Sequence, residues 1–84
     1  MSESNVRTAV ETILSNVLRD AGREVPTLSD DVLLADQLRL DSLDFAVVVV
    51  GLERELGVDP FRTASPRISS FGELVQLYEQ ACSK

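Results

Sequence analysis

The stretch Phe45-Ala46-Val47-Val48-Val49-Val50 decides the fold class. Valine branches at Cβ and is only a modest helix former, so read alone the stretch could be a strand. A strand needs a partner, and no second run in the chain is convincing enough to pair with it. The segment from Ser42 to Leu56 is also long for a strand, at about fifteen residues. It closes on Leu52-Glu53-Arg54-Glu55-Leu56, which is good helix chemistry. Asp41 stands before it as a cap and Gly57 after it as a stop. The stretch therefore reads as the middle of a helix that is apolar nearly all round. Gly51 inside it either weakens the helix by up to about 1 kcal/mol or lets another helix come close.

The remaining pattern agrees. Val6, Val10, Ile13, Leu14, Val17 and Leu18 recur at helical spacing, which predicts a helix from Glu3 to about Ala21 with Gly22 at its C-terminal cap. A last helix begins near Ser70, where Ser70-Phe71-Gly72-Glu73 fits a capping box. Phe71, Leu74, Val75, Tyr78 and Ala81 form its apolar stripe. Between the first two helices, Pro26 and Ser29-Asp30-Asp31 mark turns. Yet Val25, Leu28, Leu33, Leu34, Leu38 and Leu40 are too many for a solvated linker, so the segment reads as a long loop laid over the core, with one helical turn near Ala35–Leu38. Asp59-Pro60 opens a short element that Pro66 ends. The expectation is a single all-α domain over residues 1–84, a small four-helix bundle of three main helices and one short one.

Composition excludes several functions. With 14 acidic and 8 basic residues, the net charge of −6 argues against nucleic acid, where a basic surface carries the affinity. One cysteine, Cys82, makes no internal disulfide and no zinc site. No segment is apolar and long enough to span a membrane, and the first residues lack the apolar core of a signal peptide, so a cytoplasmic location is the default. Histidine is absent, which removes a Ser-His-Asp triad, a histidine base and a histidine metal site. Lys84, the only lysine, lies at the far end of the chain. An enzyme built on Ser42 with Asp41 or Asp44 therefore has no support.

Leu38-Arg39-Leu40-Asp41-Ser42-Leu43-Asp44 resembles the Asp-Ser-Leu attachment motif of acyl carrier proteins. The helix after the serine, its Leu-Glu-Arg-Glu-Leu-Gly ending, the Ile68-Ser69-Ser70-Phe71 stretch and the amphipathic last helix fall where that family has them, so the resemblance covers essentially the whole chain. It implies that Ser42 carries 4′-phosphopantetheine through a phosphodiester. A separate phosphopantetheinyl transferase would install the group from coenzyme A. Acyl groups would then be held as thioesters on its thiol, loaded by a ligase or synthase. A helix start tolerates the anion. The resemblance also implies that Asp41 and Asp44 face partners, Asp41 serving as a cap as well, while Leu43 is either a buried core residue or one that packs near the arm and its partners. It implies a monomer.

The chain departs from the family pattern in places. Arg39 replaces a common glycine, and Val47 stands where the family commonly has glutamate. Val47 and Val48 are candidate docking contacts if exposed and core residues if buried. These differences point to a dedicated carrier in a specialised fatty-acid, polyketide or related pathway. An aminoacyl or peptidyl carrier, or an unmodified helical interaction module, are the alternatives. Whether an acyl chain can tuck into the aliphatic core is open at this level, and a filled core is the simpler expectation.

Overall fold

A computed structural model describes residues 3–62 and 67–82, with side chains from Asn5 onward. The described residues form three helices: α1 over Glu3–Asp20, α2 over Ser42–Leu56 and α3 over Phe71–Cys82. They contain no strand beyond one isolated antiparallel bridge, Leu33 to Ser70. The valine run is helical, as its flanks require.

Each helix end has a local cause. Gly22 stands at φ 76, and its N–H donates to Arg19 O at 2.9 Å while Arg23 N–H donates to Leu18 O at 2.9 Å. That pair of bonds is a Schellman motif, which closes the orphan carbonyls of α1 through a left-handed residue that glycine adopts without strain. At α2 a simpler left-handed cap suffices, with Gly57 N–H donating to Glu53 O at 2.8 Å. The capping box at α3 forms as its sequence predicts. Glu73 N–H donates to Ser70 Oγ at 3.2 Å, and Glu73 Oε1 accepts from the backbone N–H groups of Ser69 and Ser70.

The core is aliphatic with two aromatics. Val6, Val10, Leu14, Val17 and Leu18 from α1 meet Val48 and Leu52 from α2 and Phe71, Leu74, Val75 and Tyr78 from α3. Ile13 is partly buried and packs where Gly51 lets α1 approach α2; a Cβ on Gly51 would lie 3.1 Å from Ile13 Cγ2. Ala81, expected in the α3 stripe, is only half-buried and is not part of the buried core.

Residues 21–41 hold no helix, but they are not a solvated tether. Val32, Leu34, Leu38 and Leu40 are buried in the same core. Leu34 N–H donates to Ser69 O at 2.9 Å, Phe71 N–H to Val32 O at 2.8 Å and Gly72 N–H to Asp30 O at 2.9 Å. These bonds satisfy backbone groups that burial would otherwise leave unmet. Near the expected helical turn, Gln37 N–H donates to Leu33 O at 3.0 Å. Arg7 adds an ion pair to Asp30 at 2.6 Å and lies 5.6 Å from the centre of the Phe71 ring.

A fourth helix is not among the described residues. Residues 59–62 make a turn instead, closed by Arg62 N–H to Asp59 O at 3.2 Å. The aspartate carboxylate takes the Phe61 N–H at 3.1 Å, a local alternative to helical bonding. The remainder of the expected short element, residues 63–66, lies outside the described residues. No helix of the described residues is long and apolar enough to cross a membrane.

Candidate functional site

The start of α2 is organised by Asp41. Its backbone is extended, and Oδ1 accepts from Asp44 N–H at 2.8 Å while its carbonyl accepts from Phe45 N–H at 2.9 Å. Asp41 is therefore the N-cap, an arrangement worth about 1 kcal/mol. Ser42 follows as the first helical residue. It is exposed, and its hydroxyl makes no hydrogen bond to another described residue. The amides of Ser42 and Leu43 lie in the first turn, where no intrahelical acceptor exists and the helix dipole favours negative charge.

Three contacts fix the approach to this serine. Arg23, the residue just past the Gly22 cap, donates through Nη1 to Leu38 O at 3.2 Å and to Arg39 O at 2.6 Å. The same nitrogen lies 3.5 Å from Asp44 Oδ2. One guanidinium thus ties the end of the loop to the first turn of α2. Arg39 itself stands at φ 57 with its side chain exposed. A left-handed conformation costs a non-glycine residue about 1–2 kcal/mol. The cause is local, since Leu38 and Leu40 on either side both enter the core.

A cleft of about 680 Å³ opens beside Ser42. Leu33, Leu40, Phe45, Phe61 and Ile68 give it apolar walls, and Asp36, Asp41 and Arg67 bring charge to it. No group of histidine, cysteine or acidic side chains suited to a metal ion occurs among the described residues. Cys82 is a half-buried free thiol at the end of α3.

Between Leu43 and Val50 the outer face of α2 carries an apolar stripe, which gives way to exposed Glu53, Arg54 and Glu55. Leu43 is 73% exposed, Val47 51% and Val50 53%. Their spacing of four and then three residues puts them on one stripe. Val48 does not belong with them: it is fully buried in the core, so of its two expected roles it takes the core one and is not a docking contact. One residue of helix turns a side chain by about 100°, which separates Val47 from Val48. Asp44 is half-buried and faces Arg23, so it serves the fold at least as much as any partner. The sequence reading missed Val50, although its spacing from Leu43 and Val47 marks it. It also missed Arg23, whose contacts are distant along the chain and carry no local signal.

Comparison with protein-family models, with curated proteins and with solved structures finds no match to this chain.

Proposed function

We propose that the chain is a discrete acyl carrier protein, with Ser42 as the attachment point for 4′-phosphopantetheine. The observation that carries this reading is a division of labour. Asp41 caps α2, which leaves the Ser42 hydroxyl exposed and uncommitted at a position where a helix tolerates an anion. In the transfer, the Ser42 oxygen forms a bond to the β-phosphorus of coenzyme A. The pyrophosphate linkage breaks, the adenosine bisphosphate leaves, and the hydroxyl proton passes to the transferase. The chain needs no histidine for this, because the transferase supplies the activation and the magnesium.

The residues fit the group. The cleft beside Ser42 offers apolar walls to a flexible arm, and Arg39 and Arg67 are cations within the same region of the fold. When bound, the arm supplies a thiol that holds acyl groups as thioesters. The chain's own part is to present the arm and to be recognised. The stripe of Leu43, Val47 and Val50 suits recognition by an apolar surface, which separates this chain from carriers that depend on an acidic second helix. That points to a dedicated carrier in a specialised fatty-acid, polyketide or related pathway, monomeric and cytoplasmic, loaded by a ligase or synthase.

The same stripe favours a second reading, an interaction module that docks a partner through α2 without modification. Incubation with coenzyme A and a broad-specificity transferase separates the two. The carrier gains the mass of phosphopantetheine on Ser42, and Ser42→Ala gains nothing. Unchanged mass across several competent transferases leaves the interaction module.

A further inference from the structure

Arg23 joins the end of α1 to the start of α2. Its own backbone is fixed, because its N–H closes the Schellman motif on Leu18 O at 2.9 Å. Its Nη1 reaches Leu38 O at 3.2 Å, Arg39 O at 2.6 Å and Asp44 Oδ2 at 3.5 Å. Among the described residues no backbone N–H donates to either carbonyl, so the guanidinium is their donor. Asp44 in turn gives its N–H to Asp41 Oδ1 at 2.8 Å. Ser42 lies between Arg39 and Asp44 in the chain, so one cation brackets the serine from both sides.

The bracket holds a strained backbone. Arg39 stands at φ 57, which a residue with a Cβ keeps only where its surroundings over-determine it. Leu38 and Leu40, buried on either side, supply part of that constraint. The Arg23 bond to the Arg39 carbonyl supplies more, and it acts on the residue that is strained.

We propose that Arg23 is a positioning residue for the modification of Ser42: it holds the Arg39 turn and the first turn of α2 in one arrangement, and so presents the Ser42 hydroxyl in the pose that the transferase engages. The inference rests on the carrier reading for the reaction it serves. Displacement at the β-phosphorus needs the serine oxygen in line with the bond that breaks. A turn that samples other arrangements meets that need only part of the time. Arg23 takes no part in the chemistry. Its loss lowers the population of the competent arrangement, and the apparent affinity of the transferase for the chain falls by the same factor. Turnover after binding is untouched, so the effect belongs in KM and not in kcat.

The test measures kcat and KM for transfer from coenzyme A by a broad-specificity transferase, read by mass spectrometry on full chains well below their melting temperatures. Arg23→Gln should raise KM about five- to tenfold, the range set by about one net hydrogen bond, with kcat within about twofold. Arg7→Gln breaks the ion pair to Asp30, outside the cleft beside Ser42. It is the control for lost stability and should leave both constants unchanged. Glycine adopts φ 57 without strain. In an Arg39→Gly background, the same Arg23→Gln change should therefore raise KM by less than about twofold. The inference is overturned if Arg23→Gln matches the unaltered chain, if Arg7→Gln raises KM as much, if the loss falls on kcat alone, or if it is as large in the glycine background. An unaltered chain that is never modified overturns the carrier reading and this inference with it. An unaltered chain that is modified with the same constants as Arg23→Gln overturns this inference alone.

Discussion

At the start of α3 the cap is Ser70, and the first helical residue, Phe71, is fully buried. The next, Gly72, is pressed so close to Asp30 that a Cβ would lie 2.8 Å from the aspartate Cβ. The third, Glu73, reaches back to Ser69 and Ser70. At the start of α2 the cap is Asp41, and the same three positions are Ser42, exposed, Leu43, 73% exposed, and Asp44, paired with Arg23. Both starts satisfy their first-turn amides with an N-cap side chain. At α3 all three positions serve the fold, whereas at α2 the first two are left exposed and only Asp44 is engaged. The serine of α3 is committed to capping, whereas capping at α2 is assigned to an aspartate, and the serine is left over. The attachment proposed for Ser42 needs such a residue.

Substitutions at matched positions can break this contrast. The largest difference is expected at the first helical residue. Phe71→Ala should cost about 3–5 kcal/mol of stability in denaturant unfolding, and Ser42→Ala no more than about 0.5 kcal/mol. A cost at Ser42 comparable to a core truncation would show that its hydroxyl is structural after all. At the second position, Gly72→Ala should lose about 1–3 kcal/mol, because the new methyl group meets Asp30 backbone and side chain. Leu43→Ala should stay within about 0.5 kcal/mol. At the caps the two starts should converge, with Asp41→Ala and Ser70→Ala each losing about 1 kcal/mol.

The smallest effect concerns pH. Hydrogen bonds from the Ser69 backbone and hydroxyl and from Ser70 hold the Glu73 carboxyl below its ordinary value of 4.5. Its contribution is therefore full above that pH and is lost as the pH falls through the lower, folded value. Glu73→Gln should flatten the acid limb of a stability-against-pH curve and leave neutral pH nearly unchanged. An unchanged acid limb would mean the carboxylate end of the box contributes little.

Much of this contrast was legible in the sequence, and the rest was hidden for identifiable reasons. The bounds of α2 follow from Asp41 and Gly57, which act within one turn of the helix. The capping box at α3 is equally local. The leucines of residues 21–41 announce that the segment is buried, but not that it bonds to Ser69 and to the first turn of α3, since such pairing depends on the whole fold. Val47 and Val48 are indistinguishable in a run of four valines with no polar residue to mark the outer face. Only packing shows that one is exposed and the other sealed. Arg23 gives no signal, because its acceptors are carbonyls at Leu38 and Arg39. The strained φ of Arg39 likewise appears only once both neighbouring leucines are placed in the core.

The account stands or falls on what the Ser42 oxygen can accept. Intact-protein mass spectrometry of the chain after exposure to coenzyme A, magnesium and a broad-specificity phosphopantetheinyl transferase measures it directly. The expected result is one added phosphopantetheine, mapped by fragmentation to Ser42, absent in Ser42→Ala and fully retained in Ser70→Ala. A chain whose mass stays unchanged with several active transferases, or that is labelled at any residue other than Ser42, would contradict it.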